Sequence, residues 1–302
     1  MAITKLAQMF DVLKSKSKKR LVAAYANDSH TIGAVNQAVE KGLIDATLVG
    51  DEETIKKVCL EHKIDVTKFK IVQETDEVKA AEKAVALINA GEGDILMKGL
   101  VSTDKYMRAI LSKDKGIMES ASATLSHVSV IEVPNYHKLL IVSDVAIIPA
   151  PDLKQKITIA NYLIRTAKAL QIDLPKVAVI AATEQMMPGM QACVDAAIIS
   201  KMADRGQIKG ALIDGPLALD VAIDKESCEI KKLVSTVAGD ADCLLFPNIE
   251  SGNVFFKSST KLSNGELGAV VFGAKVPAVL TSRGDSELTK LYSIALAALI
   301  AK

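Results

Sequence analysis

Apolar runs alternate with amphipathic stretches along most of this chain, and the alternation predicts strands that are each followed by a helix. The run 21–26 ends in the capping residues Asn27-Asp28-Ser29, and a helix follows until Gly42 closes it. The same order recurs up to the strand 95–97, which ends at Lys98-Gly99. Continuous apolar strands separated by helices indicate a mainly parallel sheet covered on both faces. The sequence therefore predicts the α/β class.

The middle of the chain departs from this order. Apolar runs at 128–133 and 139–142 are joined by Pro134-Asn135-Tyr136-His137, which predicts a β-hairpin and one antiparallel strand pair. We place a change of domain near residue 125. Alternation of helices and strands then resumes. Helices are predicted at 154–170, 189–205 and 285–301, and strands at 177–181, 211–213, 243–246, 270–272 and 278–280.

Polar residues follow five of the predicted strands, and ligands of such sheets bind beyond the carboxyl ends of the strands. These strand ends carry Asn27-Asp28, Lys98-Gly99, Asp144, Asp214-Gly215 and Ser282-Arg283. The last one runs directly into a helix, so a hydroxyl, a guanidinium and helix N–H groups surround one point. Helix N-termini and Arg both bind anions, which favours a phosphate site here. The structural alternative is a serine cap with a surface arginine.

Several of these residues also have a structural interpretation. Lys98 is either a surface lysine or a ligand of a phosphate or acyl carbonyl, and Arg108 is either a solvated helix residue or an anion ligand. The Asp214-Gly215-Pro216 stretch has the composition of a turn, with Asp220 as a helix cap beyond it. His127 is expected to be a hydrogen-bonded structural histidine.

Composition and charge narrow the class of protein. The 302 residues carry a net charge of +1, no Trp and only 4% aromatic residues, which argues against a nucleic-acid or membrane surface. The four cysteines lack metal-ligand spacing, so free thiols and no metal site are expected. An apolar stretch of membrane-spanning length is missing, and the start of the chain lacks the pattern of a signal peptide, so we expect a cytoplasmic protein.

Three common catalytic motifs are missing from the sequence. It contains no P-loop, no G-x-S-x-G nucleophile elbow and no G-x-G-x-x-G dinucleotide motif. The segment Gly91-Glu92-Gly93 contains two glycines with the spacing that begins the dinucleotide motif, but it precedes a predicted strand instead of following one. These absences argue against a P-loop kinase, an α/β-hydrolase and a dinucleotide-binding Rossmann site.

Six segments in order, spread over nearly the whole chain, resemble the phosphate acetyl/butyryl transferase family, with the butyryl branch the nearer match. They are Met97-Lys98-Gly99 with Ser102-Thr103 and Arg108, Ser126-His127-Val128-Ser129-Val130, Val142-Ser143-Asp144, the stretch from Ile213 to Asp220, the stretch from Phe246 through Ser251-Gly252-Asn253 to Lys257, and Thr281-Ser282-Arg283-Gly284.

The resemblance implies a two-domain, three-layer αβα protein with the architecture of isocitrate and isopropylmalate dehydrogenases and a cleft between the domains. The first domain would comprise residues 1–125 and 275–302, and the second residues 126–274. The implied reaction is acyl-CoA + phosphate ⇌ acyl phosphate + CoA, with butyryl-CoA or a similar short-chain acyl-CoA as substrate. Neither a metal nor a prosthetic group is implied, and the expected state is a homo-oligomer, a dimer or larger.

Roles for individual residues follow from the resemblance as hypotheses. Arg283 and Arg108 bind the phosphate, Ser282 donates to the sulfur or the oxyanion, and Asp285 is a candidate base. The acetyl branch has an Asp at the position of Thr289 here, which leaves the base of the CoA thiol open. The remaining candidates are assigned to substrate binding: Lys98, Gly99, Ser126, Asp144, Asp214, Gly215, Pro216, Gly252 and Asn253.

Four other functions remain as alternatives. Phosphate acetyltransferase activity differs only in chain length, and an acyl-ACP:phosphate acyltransferase would need a basic docking surface that the near-neutral charge does not suggest. A decarboxylating NAD-dependent dehydrogenase of similar architecture would need a cluster of metal-binding Asp residues. A ligand sensor on an enzyme fold would not need the Ser282-Arg283-Gly284 segment.

Overall fold

The computed structural model describes residues 2–281 and 285–302 and divides the chain into two compact units. The first unit consists of the described residues of Ala7–Leu125 and Leu267–Lys302, and the second of those of Met1–Leu6 and Ser126–Glu266. The return to the first unit thus follows Glu266, whereas the resemblance implied a return at 275. The physical reason is a strand at 266–272 that pairs with the strand beginning at Ala278.

Helices and strands alternate in both units, which confirms the predicted α/β class. The strands are β1 (Lys19–Ala24), β2 (Ile44–Gly50), β3 (Phe69–Gln73), β4 (Ile95–Lys98), β5 (Ser126–Glu132), β6 (Leu140–Ser143), β7 (Lys176–Ile180), β8 (Leu212–Leu217), β9 (Cys243–Leu245), β10 (Glu266–Phe272) and β11 (Ala278–Val279). The α-helices are α1 (Gln8–Lys14), α2 (Ser29–Glu40), α3 (Glu52–Glu61), α4 (Glu77–Asn89), α5 (Thr103–Leu111), α6 (Leu153–Ala169), α7 (Gln191–Asp204), α8 (Leu219–Ile223), α9 (Lys225–Ile230), α10 (Ile249–Lys261) and α11 (Glu287–Ile300).

The sheet of the first unit has the strand order β3-β2-β1-β4-β11-β10. Its strands pair in parallel, apart from β10 and β11, which are antiparallel. Strand β4 lies in the middle of this order, and all four of its residues are buried. Helix α11 packs against α1 and α2, and its residues from Lys290 to Ile300 are all buried.

Short side chains at the strand ends determine where the helices of the first unit begin. Asp28 accepts a hydrogen bond from the backbone N–H of Thr31, and Asp51 caps α3 in the same way. Each cap satisfies an N–H group that has no partner within its own helix. The capping residues predicted after the strands therefore do start the helices, which places polar side chains at the carboxyl edge of the sheet.

The second unit has the strand order β5-β6-β9-β7-β8. Strands β5 and β6 form the antiparallel pair that the sequence predicted as a hairpin, with Ser129 opposite Val142. The other pairs are parallel, so β6, β9, β7 and β8 end at the same edge. Helix α6 packs on β5, β6, β7 and β9, and α7 packs on β7 and β8.

Charged groups gather at the amino ends of β6, β7 and β9. Lys138 and Lys176 contact the two oxygens of Asp240 at 2.9 and 2.7 Å, and Lys138 also contacts Asp242 at 2.8 Å. Burial raises the pKa of the Asp240 carboxyl, but the hydrogen bonds from Lys176 and Lys138 outweigh it and lower this pKa to about 2. The cluster links the hairpin loop to the starts of two strands.

The stabilising effect of Asp240 is expected to depend on pH. Because its pKa is lower in the folded state, the carboxylate stabilises the fold above its ordinary pKa of 3.8, and this stabilisation is lost as the pH falls towards 2. Asp240→Asn should therefore lower the melting temperature at pH 7, and the difference from the wild type should shrink below about pH 4. Thermal unfolding of both proteins at about pH 7, 4, 3 and 2.5 measures this. A difference that stays constant over this range contradicts the assignment.

Candidate functional site

Strands β1, β4 and β11 are neighbours in the first unit, and their ends form its polar edge. Ala24 of β1 lies beside Lys98 of β4, and Val279 of β11 lies beside Met97. The residue after Lys98 has to be Gly, because a Cβ on Gly99 would lie 2.5 Å from the carbonyl oxygen of Tyr25. The predicted Gly99 position is thus explained by a close backbone approach.

Lys98 is buried, with only 3% of its surface exposed, so the surface-lysine interpretation is wrong. Its Nζ donates to the carbonyl oxygen of Gly99 at 3.1 Å. A buried ammonium needs nearby acceptors or an anion, since desolvating a charge is costly. The buried environment of Lys98 therefore fits a ligand of an anion. That role of Lys98 stays a prediction.

Two buried oxygen atoms at this edge have no hydrogen-bond partner. They are Oδ2 of Asp28, which follows β1, and Oγ1 of Thr281, which follows β11. Leaving a buried polar atom unpaired costs about 1–3 kcal/mol. Such atoms are expected where a site is completed by something other than the polypeptide, so they mark this edge as a place for a ligand.

Of the three residues predicted to be catalytic, Ser282 and Arg283 lie outside the described residues. Asp285 is described and half-buried, and its carbonyl oxygen accepts a hydrogen bond from Nζ of Lys290 at 2.8 Å. Only 3% of the surface of Lys290 is exposed. Sequence reasoning missed Lys290, because a lysine in a helix is usually solvated.

The start of α11 shows where its other candidate side chains lie. Glu287 accepts a hydrogen bond from Nε2 of Gln37 at 3.0 Å, so its carboxylate is directed to α2. Thr289 stands where the acetyl branch has Asp. Its backbone N–H donates a hydrogen bond to Oγ of Ser286, the N-cap residue of α11, at 3.1 Å. The first turn of α11 therefore offers no carboxylate at the position of Thr289.

Arg108 lies on α5 with 78% of its side chain exposed. It forms an ion pair with Asp104, one turn earlier, at 3.0 Å. Arg108 also lines a cavity of about 450 Å³, together with Val78, Glu82 and other residues of α4 and α5. Lys98 and Asp285 are not among the residues that line this cavity. The predicted role of Arg108 in phosphate binding stays a prediction.

The second unit holds a buried polar cluster centred on Asp144. One carboxylate oxygen of Asp144 accepts from the backbone N–H groups of Ala146 and Ile147 at 2.8 and 2.9 Å. The other accepts from Oγ of Ser126 at 2.9 Å and from the N–H of His127 at 3.3 Å. Four donors occupy the acceptor positions of this carboxylate. Asp144 is therefore suited to hold the loop after β6, and not to act as a free base.

Helix α10 packs its first turns against the same loop. A Cβ on Gly252 would overlap the carbonyl oxygen of Asp144, and Nδ2 of Asn253 donates to the carbonyl oxygen of Val145 at 2.9 Å. The structure thus brings four predicted residues together, namely Ser126, Asp144, Gly252 and Asn253. His127 is buried and lies 3.3 Å from Oγ of Ser129, which confirms its structural interpretation.

The Asp214-Gly215-Pro216 stretch is not a turn, as its composition predicted, but belongs to strand β8. Two strands, β9 and β7, separate β8 from β6 and its Asp144 loop. Oδ1 of Asp214 accepts from the N–H of Gly215 at 2.8 Å. The structure therefore places these three residues apart from the Asp144 cluster, and their role in substrate binding stays a prediction.

Two of the four cysteines are unsuited to nucleophilic catalysis. Burial raises the pKa of the Cys59 and Cys243 thiols, which disfavours the reactive thiolate. Cys193 is also buried, and its Sγ lies 3.4 Å from Sδ of Met190. Within residues 2–281 and 285–302, no group of three or more His, Cys, Asp or Glu side chains is placed to hold a metal ion.

None of the helices in the described part of the chain has both the length and the apolar character to span a bilayer.

Comparison with known proteins gives a consistent result. The family model described as phosphate acetyl/butaryl transferase matches residues 4–83 and 73–298. A phosphate butyryltransferase of Clostridium acetobutylicum is 46% identical over 96% of this chain and 95% of its own length. A phosphate acetyltransferase of Thermotoga maritima is 39% identical over 98% of this chain and 99% of its own length. The crystal structure of a branched-chain phosphotransacylase from Enterococcus faecalis matches with a TM-score of 0.80 and 28% identity, over 94% of this chain and all of that one.

Proposed function

Because the chain belongs to the phosphate acetyl/butyryl transferase family and is a phosphate acyltransferase, we propose that its preferred substrate is butyryl-CoA or a similar short-chain acyl-CoA. The products are the acyl phosphate and CoA. Support for this chain length comes from the relatives, since the phosphate butyryltransferase of Clostridium acetobutylicum is 46% identical and the acetyltransferase of Thermotoga maritima 39%. Phosphate acetyltransferase activity is therefore the second candidate.

The observation that carries the proposal is the polar edge of the first unit. Lys98 is buried there, and Oγ1 of Thr281 is buried without a partner. The unpaired hydroxyl favours a ligand that supplies the missing hydrogen bond, and the positive charge of Lys98 favours an anion as that ligand. The sequence adds Ser282 and Arg283 directly after Thr281, and the guanidinium of Arg matches the geometry of phosphate.

The reaction needs a phosphate oxygen to attack the thioester carbonyl carbon. A C–O bond forms, the C–S bond breaks, and CoA leaves as a thiolate that takes up a proton. Arg283 holds the phosphate, and Ser282 donates to the developing oxyanion or to the sulfur. Preorganised donors of this kind contribute about 3–4 kcal/mol each. Asp285 remains the candidate base for the thiol in the reverse direction, and Lys98 a second phosphate contact.

The transfer is proposed to be direct, within a complex that contains both substrates. Support comes from the thiols of Cys59 and Cys243, whose pKa is raised by burial, and from the fully buried Ser126, whose Oγ donates to a carboxylate. Burial disfavours the thiolates of these two cysteines, and the Asp144 carboxylate beside Ser126 accepts from three further donors, so none of these three residues is suited to form a covalent acyl-enzyme. A radiolabelled acyl-enzyme trapped after incubation with butyryl-CoA alone is the result that contradicts direct transfer.

CoA is proposed to contact Gly252 and Asn253, with Asp144 and Ser126 holding the neighbouring loop in place. Asp214, Gly215 and Pro216 are an alternative contact for the pantetheine arm. The enzyme is further proposed to be a cytoplasmic homo-oligomer, a dimer or larger, that requires no metal ion. Size-exclusion chromatography with light scattering measures the subunit number.

The experiment that tests the function measures CoA release from acetyl-, butyryl- and octanoyl-CoA with a thiol reagent, with and without phosphate. A rate that depends on phosphate and is highest with butyryl-CoA supports the proposal. An enzyme-only reaction corrects for the protein's own thiols, of which only Cys228 is not fully buried. A maximum with acetyl-CoA would support the second candidate. Activity with octanoyl-ACP but none of the CoA esters would support the acyl-ACP alternative.

A further inference from the structure

The second unit carries four large apolar side chains that extend into solvent. Met186 and Met187, in the loop between β7 and α7, are 68% and 43% exposed. Ile230, the last residue of α9, is 72% exposed, and Val234 beyond it is 99% exposed. Scattered exposed apolar residues are common, whereas a group of them on one surface marks a site of interaction. We call these four residues the apolar patch.

An ion pair brings the two parts of the apolar patch together. Nζ of Lys231 lies 3.4 Å from Oε2 of Glu184, which stands two residues before Met186. The same Nζ lies 3.0 Å from Oδ2 of Asp220. Because Lys231 directly follows Ile230, the end of α9 and the loop after β7 are neighbours, and the four apolar side chains belong to one region of the surface.

The shape of the apolar patch favours a large partner over a small ligand. Small-molecule sites are concave and bury most of the bound molecule, whereas Val234 and Met186 stand out from the surface. Every residue of the segments 184–190 and 223–236 is exposed or half-buried, which amounts to 21 residues. Each partner of a stable protein interface contributes about 20–30 residues. This surface is therefore large enough for contact with a protein.

The charges around the apolar patch fit a second copy of the same chain. In a twofold dimer, residues near the axis meet their own copies, so a charged residue there faces a like charge. The run 185–190, Gln-Met-Met-Pro-Gly-Met, carries no charge. The segments 184–190 and 223–236 together hold three lysines and four carboxylates. A surface with so little net charge does not attract a nucleic acid or a strongly acidic carrier protein.

We propose that two copies of the chain form a twofold dimer through the apolar patch. Association removes the four apolar side chains of both copies from water, which drives the contact. Methionine is flexible and adapts to the surface that it packs against, which suits a residue that meets its own copy. The inference extends the homo-oligomer of the proposed function by naming its contact surface, and it does not depend on the chemistry of acyl transfer.

The test introduces one charge into the apolar patch. Met186→Asp and Val234→Asp each place a carboxylate where the two copies meet, and side chains this exposed can be replaced with little effect on the fold of a single copy. Leu60→Asp is the matched control, because Leu60 is 80% exposed on α3 of the first unit. Light scattering after size-exclusion chromatography gives the mass of each protein over about a hundredfold range of concentration, where mass action shifts a dimer equilibrium.

The wild type and Leu60→Asp are expected to have the mass of two or more chains. Met186→Asp and Val234→Asp should have half that mass at the same concentration. Their dissociation constant for the dimer should rise about a hundredfold or more, since each new carboxylate loses its water against apolar groups and faces its own copy. The melting temperature of the wild type should rise with protein concentration, and this dependence should weaken in the two variants.

Other outcomes overturn the inference. A wild type that is monomeric over the whole range does so, and so do patch variants with the mass of the wild type or a control that dissociates as they do. Patch variants that keep their mass but raise the KM of butyryl-CoA would assign the patch to substrate binding instead. Phosphate-dependent CoA release is measured on the same samples. A dimeric wild type that releases no CoA contradicts the transferase function alone, and an active monomer contradicts the dimer alone.

Discussion

Replacing Asp144 by Ala is expected to lower the free energy of unfolding by about 4 kcal/mol, one of the largest effects in the molecule. Three backbone N–H groups and the hydroxyl of Ser126 donate to this carboxylate, and 2% of the surface of Asp144 is exposed. The Ala variant leaves the three N–H groups without this acceptor, and Ser126 keeps only its hydrogen bond with the hydroxyl of Ser143. Urea or thermal unfolding measures the loss.

Asp144→Asn should be milder, at about 1–2 kcal/mol, because one oxygen still accepts and Ser126 can turn its hydroxyl to accept from the amide. Asp152→Ala is the matched control. Asp152 also accepts from a backbone N–H, that of Gln155 at 2.8 Å, but at the exposed start of α6. Loss of an exposed cap costs about 1 kcal/mol. Equal losses in Asp144→Ala and Asp152→Ala would show that the buried network contributes no more than an ordinary cap.

The fold was predictable where local pattern determines it. Apolar runs followed by Asp or Ser identified the strands and the helix starts, and the pair 128–133 and 139–142 identified the hairpin. Strand β8 was cut short in the prediction, because Gly215 and Pro216 are typical turn residues. Their place in a strand depends on pairing with β7, which lies more than thirty residues earlier in the chain. The return at Leu267 was likewise invisible, since it follows from the long-range pairing of β11 with β4.

The candidate site was predictable by residue type but not by environment. Polar residues at strand ends indicated Lys98 and Asp144, yet the burial of Lys98 depends on the neighbouring strands β1 and β11, and two of the four donors of Asp144 lie at the start of β5. Lys290 offers a local signal that was missed. It stands four and seven residues before Ile294 and Ala297, so it lies on the same buried face of α11. A lysine is rarely found on an apolar helix face, and this pattern predicts that its charge is paired.

Replacing Arg283 by Ala is expected to lower kcat/KM by about 3–4 kcal/mol, which is a factor of several hundred, with little change in the melting temperature. The expectation rests on sequence and chemistry, because Arg283 lies outside the described residues. Phosphate carries most of the charge in the reaction, and Arg is the side chain that binds it through two parallel hydrogen bonds. The measurement is the rate of phosphate-dependent CoA release at several phosphate concentrations.

Arg283→Lys separates charge from geometry, since it keeps the positive charge but loses the planar fork, so it should recover only a small part of the activity. Arg205→Ala is the matched control, because Arg205 is an exposed residue at the end of α7. If Arg283→Ala stays within about threefold of the wild type, which is under about 1 kcal/mol, the assignment is wrong. In that case another cation of the polar edge, such as the buried ammonium of Lys98, would have to bind the phosphate.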